Sequence, residues 1–205
     1  EIPSGANEII HTLQDKGYEA YLVGGCVRDS ILGRLIHDYD ITTSATPDEM
    51  MEVFKDKRII ETGLQHGTIT ILIDSEGYEC TTYRIDGNYS DSRRPDSVTF
   101  TRSLKEDLKR RDFTINAMMY DYQNGKLIDY YQGREDIKNK CLKMVDEKTF
   151  YEDPLRVLRL AQFMSRFEFQ VDLKTKEICQ KMVNEGVLQY LSLERIQQEY
   201  NKLLM

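Results

Sequence analysis

Apolar and polar positions along this chain switch between a helical period and a strand period. Over residues 7–16, Ile9, Ile10 and Leu13 fall at helical spacing, and Gly17 follows as a natural stop. Ala20–Val23 is a short apolar run with the length of a buried strand, broken by Gly24 and Gly25. Residues 27–32 return to a helical pattern that Gly33 ends, and residues 39–42 predict the next strand. Thr46, Pro47, Asp48 and Glu49 combine a cap, a proline suited to the first helical position and an acidic first turn, so a helix is expected through Phe54. Thr68–Ile73 and residues 78–84 read as strands of a hairpin whose loop is Asp74-Ser75-Glu76-Gly77. Residues 85–97 have the polar, Gly-, Asn-, Ser- and Pro-containing composition of a long loop, and such loops are usually functional or disordered. Residues 104–110 and 113–119 predict helices, and Asn124-Gly125 a hairpin turn. From about Lys148 the strand signal disappears, and residues 154–167, 174–183 and 193–204 carry helical spacing. The pattern predicts an α/β part followed by an all-helical part.

Composition narrows the class. The chain has 205 residues, 31% charged and 40% hydrophobic, an ordinary globular balance that excludes a disordered or collagen-like chain. It allows one domain, or one with a smaller appendage. No apolar run approaches the roughly 18 residues a transmembrane helix needs. No charged-then-apolar start resembles a signal peptide, and the absence of an initial Met predicts a trimmed N-terminus. The net charge of −7 argues against a chain that coats nucleic acid with its whole surface. Residues 102–111 nevertheless hold five basic residues against two acidic ones, enough for a local positive patch. Cys26, Cys80, Cys141 and Cys179 show no CxxC spacing and the chain has three His, so a zinc site lacks ligands and reduced cytosolic thiols are expected.

Four stretches carry candidate chemistry. In a strand, Asp38 and Asp40 point to one face about 6–7 Å apart, a repulsive pair that a cation relieves. Mg²⁺ suits carboxylates combined with substrate phosphates; solvated or capping aspartates are the plainer reading. Glu79 shares a strand face with Thr81 and Tyr83 and is placed to join the two aspartates, or else to stand exposed. Gly24-Gly25-Cys26-Val27-Arg28-Asp29 lies between a strand and a helix, where glycines admit a phosphate, or simply make a turn. Arg111 offers charge to a triphosphate, and Asp112 a cap or a ribose contact. Finally, Asp153, Arg156 and Arg159 line one side of a helix behind Pro154. Asp153 either caps that helix or, with Arg156, reads a base. A carboxylate accepts from an exocyclic amine while an arginine donates to the adjacent acceptor. Such a pair takes C and A and rejects U and G, whose carbonyl leaves polar groups unpaired.

In order along the chain, residues 22–29 (LVGGCVRD), 38–42 (DYDIT), 110–117 (RRDFTINA) and 152–159 (EDPLRVLR) resemble the bacterial class II tRNA nucleotidyltransferases, the CCA-adding enzymes and their poly(A) polymerase relatives. Arg93-Arg94-Pro95, the segment from Asp121 through Asp129 with Gly133, and residues 192–196 are similar to further segments of that family. The resemblance implies an α+β fold: a polymerase-β-like nucleotidyltransferase head with a small mixed sheet and flanking helices over residues 1–145. An all-helical neck follows over 146–205, with body and tail domains missing. It implies that Asp38 and Asp40 bind Mg²⁺ and that Glu79 is the third catalytic carboxylate. Gly24, Gly25, Arg28 and Arg111 then hold the triphosphate, with Asn116 nearby. Asp112 meets the ribose, Asp153 and Arg156 read the base beside Arg159, and residues 85–97 switch the enzyme from C to A. The implied activity is template-independent addition of CCA to the 3′ end of tRNA from CTP and ATP, releasing pyrophosphate, in the cytoplasm. Its alternatives are addition of A only or CC only, poly(A) synthesis, or an inactive RNA-binding module. The chain departs from the family at Gln162, where many relatives have Arg, and at Arg134, which replaces a glycine. His66 sits in a turn signal and reads as structural.

Overall fold

The architecture is that of a computed structural model, which describes residues 1–87 and 98–190. Helix α1 (Ser4–Asp15) buries the stripe Ala6, Ile9, Ile10 and Leu13. Strand β1 (Ala20–Val23) leads through Gly24 into α2 (Gly25–Leu32), which Gly33 ends in the left-handed conformation. Strand β2 (Ile41–Thr43) is followed by α3 (Pro47–Val53). Thr46 closes a reciprocal capping box with Glu49 at the start of α3, a feature worth about 1 kcal/mol. Then come β3 (Arg58–Gly63), β4 (Thr68–Ile73), β5 (Glu76–Thr82), β6 (Arg84–Asp86), β7 (Val98–Phe100) and α4 (Leu104–Lys109). The remainder is β8 (Met119–Asp121), β9 (Lys126–Ile128), α5 (Gly133–Lys138), β10 (Cys141–Leu142), α6 (Glu147–Tyr151), α7 (Leu155–Phe167), β11 (Gln170–Val171) and α8 (Leu173–Asn184).

Seven strands form one mixed sheet in the order β3-β4-β5-β2-β1-β8-β9. Its pairs are antiparallel except β2–β5, which is parallel with Ile41 opposite Cys80. One face packs Leu22, Ile41, Ile69, Ile71 and Cys80 against α1 and α3 in the main core, which continues to Phe163 and Cys179. Phe113 sits edge-on to Phe150 and Phe163 at 5.6 and 5.7 Å, joining the sheet part to α6 and α7. The other face carries a smaller cluster of Val23, Tyr83, Leu108, Ala117 and Met119 under α4. Among the described residues no helix is long and apolar enough to cross a membrane.

Several boundaries differ from expectation. The strand expected at 39–42 is β2, so Asp38 and Asp40 precede it rather than lying within it. The β4–β5 loop is two residues, Asp74 and Ser75, both at positive φ (51° and 69°), with Ile73 opposite Glu76. That is the backbone of a type I′ turn, whose twist matches the strands. Residues 113–119 are not a helix. A 3-10 turn (Thr114–Asn116) gives way to β8, because residues 112–119 are buried throughout and present no polar face. Residues 84–86 and 98–100 pair as the antiparallel ribbon β6–β7, so the first two residues of the expected loop, Ile85 and Asp86, belong to a strand; 88–97 lie outside the described residues. The helical part contains a strand after all, β11, which pairs in parallel with β10. The helix expected at 193–204 lies outside the described residues.

Candidate active site

The parallel β2–β5 register decides where the acidic residues stand. Ile41 and Cys80 face the core together, so Asp40 and Glu79, one residue back on each chain, face the opposite side together. Over β3, β4 and β5 that side is polar: Thr68 and Thr81 share a hydrogen bond at 2.9 Å, as do Thr62 and Thr70 at 3.1 Å. Asp40 is held by its backbone, its carbonyl accepting from Val23 N at 3.0 Å. Burial raises the Cys80 thiol above its usual range, and Asp40 and Glu79 push it further. Asp38 and Glu79 are exposed and Asp40 is half-buried. Among the described residues, no three His, Cys, Asp or Glu side chains converge closely enough to enclose a metal ion. The donors that face outward are carboxylate oxygens, the type a hard divalent cation takes.

Next to these carboxylates is the glycine turn. Gly24 has φ 76° and ψ −130°, a conformation that strains any L side chain, and a Cβ there would lie 3.7 Å from Arg111 Nη1. Arg111 is anchored through Nη2 to Asp107 Oδ2 at 3.2 Å, while its buried Nε has no partner. Burial lowers the Arg111 guanidinium below its usual value, and Asp107 and Asp40 oppose that shift. Asp107 is fully buried. It accepts from Arg84 N at 3.0 Å, Arg110 Nε at 3.2 Å and Thr42 Oγ1 at 3.5 Å. It therefore ties the first arginine pair to β2 and to the β6–β7 ribbon.

A second network runs inward from α2. Arg28 donates through Nε and Nη2 to Asp29 at 2.9 and 3.2 Å, and through Nη1 to Asn116 Oδ1 at 2.6 Å. Asn116 Nδ2 donates in turn to Asp112 Oδ1 at 3.1 Å, and Arg159 Nε donates to Asp112 Oδ2. Burial works against ionisation of Asp112. Arg159, Arg156 and the Asn116 hydrogen bond outweigh it and hold the carboxyl well below the usual range.

At the head of α7, Asp153 Oδ1 accepts from Leu155 N at 3.0 Å, so the capping role is present. Its Oδ2 stands 3.7 Å from Arg156 Nε. Arg156 donates through Nη2 to Arg110 O, while its buried Nη1 has no partner. An unpaired buried donor costs roughly 1–3 kcal/mol, which a bound acceptor recovers. Arg156, Arg110, Glu152 and Asp86 line a cavity of about 220 Å³. A larger hollow of about 690 Å³ lies around Ile31, Gln132 and Arg134, away from these residues.

The structure thus brings Asp40 and Glu79 to one face, links Arg28, Asn116, Asp112 and Arg159 in one network, and pairs Asp153 with Arg156. Asp38 is an exposed residue two positions before Asp40, ahead of β2. The sequence reading missed Asp107 and the pairing of Asp29 with Arg28. The spacing of Asp107 to Arg110 and Arg111, three and four residues on, was the available signal for the first.

Residues 20–143 match the family model described as the poly A polymerase head domain. The chain is 47% identical over 200 residues to a CCA-adding enzyme of Lactobacillus helveticus, covering 97% of this chain and 49% of that protein. It is 46% identical over 201 residues to a CCA-adding enzyme of Staphylococcus aureus, covering 97% and 49%. The fold superposes on the CCA-adding enzyme of Bacillus stearothermophilus in complex with CTP with a TM-score of 0.85 and 42% identity, covering 97% of this chain and 47% of that one. It superposes on a tRNA nucleotidyltransferase complexed with a primer tRNA and an incoming ATP analog with a TM-score of 0.73 and 31% identity, covering 94% and 55%. The chain spans about half the length of the curated relatives it matches.

Proposed function

Because the chain belongs to the poly A polymerase head domain family, we propose that it carries the nucleotide-selecting and catalytic part of an enzyme that adds CCA to the 3′ end of tRNA. Residues 1–145 form the head in this reading, residues 146–205 the neck, and the setting is the cytoplasm. The observation that carries it is the β2–β5 register, which sets Asp40 and Glu79 on one outward face beside the Gly24 turn and Arg111.

The reaction joins the RNA 3′ hydroxyl oxygen to the α-phosphorus of CTP or ATP and breaks the bond to pyrophosphate. Asp38 and Asp40, with Glu79, are assigned to hold Mg²⁺, which when bound supplies charge neutralisation at the phosphates. Gly24 and Gly25 let the backbone approach the triphosphate, and Arg111 offers its unpaired Nε to it. Arg28 is assigned to the triphosphate with them, and it also holds Asn116 and through it Asp112, which is assigned to the ribose. Asp153 and Arg156 read the base: Nη1 of Arg156 donates to a ring acceptor, and Oδ2 of Asp153 accepts from the exocyclic amine. A base with a carbonyl in that place leaves Asp153 facing another acceptor, so UTP and GTP are refused.

The test supplies tRNA lacking its 3′ end with CTP alone, ATP alone and both, and sequences the products. Stepwise CC and then A supports the reading. Addition of A alone assigns an A-adding enzyme or a poly(A) polymerase instead, CC alone a CC-adding enzyme. Binding of nucleotide without any metal dependence or turnover assigns an inactive RNA-binding module.

A further inference from the structure

Around two aromatic rings of α7 the structure collects four guanidinium groups. Phe163 and Phe167 stack with centroids 5.5 Å apart and planes within 6°. Arg28 lies 5.4 Å from the first ring centroid and 5.0 Å from the second, and Arg159 lies 5.0 Å from the first. Arg34 and Arg166 lie 4.7 and 5.1 Å from the centroid of Phe167. The carboxylates do not match this charge evenly. Asp112 serves Arg159, and Asp29 serves Arg28 with both oxygens and approaches Arg166 only at 4.0 Å. Arg34 donates to a neutral partner, the carbonyl of Arg166, at 3.4 Å. The surplus therefore sits at the outer end of the cluster, on Arg34 and Arg166, both exposed. Burial, followed by the like charges of Arg28, Arg34 and Arg159, pulls the Arg166 guanidinium below its usual value, while Asp29 opposes. Such repulsion is relieved by an anion.

The position of this surplus says which anion. Arg34 follows the end of α2 and precedes Asp38 by four residues, a reach of at most about 14 Å along the chain. Arg166 lies on α7 two turns beyond Arg159, so the basic stripe runs from the base-reading end of the helix to its far end. The triphosphate cradle at Gly24 and Gly25 lies at the opposite end of α2. A ring stacked against a guanidinium fixes its plane while leaving N–H edges for phosphate oxygens.

We propose that Arg34 and Arg166, held in place by the Phe167 ring, clamp a phosphodiester of the RNA strand whose 3′ end enters the site. The proposal rests on the reading of this chain as a nucleotidyltransferase acting on RNA 3′ ends. It adds a strand-binding contact distinct from the nucleotide triphosphate site.

The test compares the unmodified protein with R34Q/R166Q and R34K/R166K. Binding of fluorescein-labelled tRNA lacking its 3′ end is followed by anisotropy from 50 to 200 mM salt, and binding of CTP with Mg²⁺ by calorimetry. Loss of two phosphate contacts predicts a roughly tenfold weaker RNA complex for R34Q/R166Q and a salt slope shallower by about 1.5. The lysine variant keeps the slope because it keeps the charge, and CTP affinity stays within about twofold in both. An unchanged RNA slope in R34Q/R166Q overturns the clamp. Weaker CTP binding with unchanged RNA binding also overturns it, assigning the arginines to the triphosphate. If the unmodified protein binds CTP but no RNA, the clamp fails while the nucleotide-selecting reading stands; if it binds neither, that reading fails as well. If R34Q/R166Q does not fold, the lysine variant decides: a salt slope that collapses although both charges remain overturns the clamp.

Discussion

Asp38, Asp40 and Glu79 stand exposed or half-exposed at the middle strands β2 and β5 of the sheet, whereas Asp29 and Asp112 are buried among arginines and amides with their oxygens engaged. Both regions gather charge, but they spend it differently. In the acidic group, Asp38 and Glu79 are exposed, Asp40 is half-buried and acts on Arg111, and the threonines beside Glu79 are bonded to one another. In the network, each carboxylate is matched to a guanidinium at contact distance, so its cost of burial is offset within the fold. The difference teaches where stability and chemistry should separate. Substitutions in the acidic group should act on reaction rate with little effect on folding, and substitutions in the network should act on folding first.

The sharpest way to break this comparison is Asp40→Ala. Loss of a carboxylate assigned to the metal predicts a fall in nucleotide incorporation of about a hundred- to a thousandfold, of the size seen when a group that stabilises transition-state charge is removed. The melting temperature should stay within a few degrees, since little is buried there. Radiolabelled CTP incorporation and a thermal melt on the same sample check it; near-full activity removes Asp40 from the metal assignment.

Asp112→Ala should do the reverse. It removes the bond that Arg159 makes to Asp112 and the acceptor of Asn116 Nδ2, and breaking such a buried pair costs about 3–5 kcal/mol. For a chain of this size that is a drop in Tm of roughly 6–20 °C. The same residue sets an acid dependence. Its folded-state pKa is depressed, so its stabilisation is complete above its unfolded value near 4 and is lost as pH falls from there toward the folded value. Urea titrations at pH 3 and pH 6 should differ more in the unmodified protein than in the variant. Equal differences would mean that Asp112 is not paired as described.

Arg156→Ala sits between the two regimes, because one nitrogen is bonded to Arg110 O and another is buried without a partner. Removing it should narrow the preference for CTP over UTP by about 1–3 kcal/mol, roughly 10–200-fold in kcat/KM. A ratio that does not move takes the base-reading role away from this arginine.

How far these features could be read beforehand depended on whether a residue's environment is local. The β4 strand and the Thr46 cap were legible because alternation and capping are decided within a few residues. Strand β3 was not, since all six of its residues are exposed or half-exposed at an edge and follow no alternation. The stretch 113–119 was misread because full burial erases periodicity. The same logic applies to the site. The ordered motifs pointed to Arg28 and Asp112 one by one. That Asn116 joins them, 88 residues from Arg28, is a fact of tertiary packing that no spacing rule contains.

Asn116 therefore offers the mildest and most specific test of the network. Its side chain donates to Asp112 and accepts from Arg28, and no charge is removed when it is replaced. Asn116→Ala deletes one hydrogen bond on each side but leaves Asp112 paired with Arg159 and Arg28 paired with Asp29. The expected cost is about 1–3 kcal/mol, since both former partners keep another bond. The double variant Asn116→Ala/Asp112→Ala should then lose less than the two single losses added together, because the Asn116–Asp112 bond is counted in both. A strictly additive pair, measured by urea unfolding, would mean that the two side chains do not act through one another, and that the inner half of the site is a set of separate contacts rather than a network.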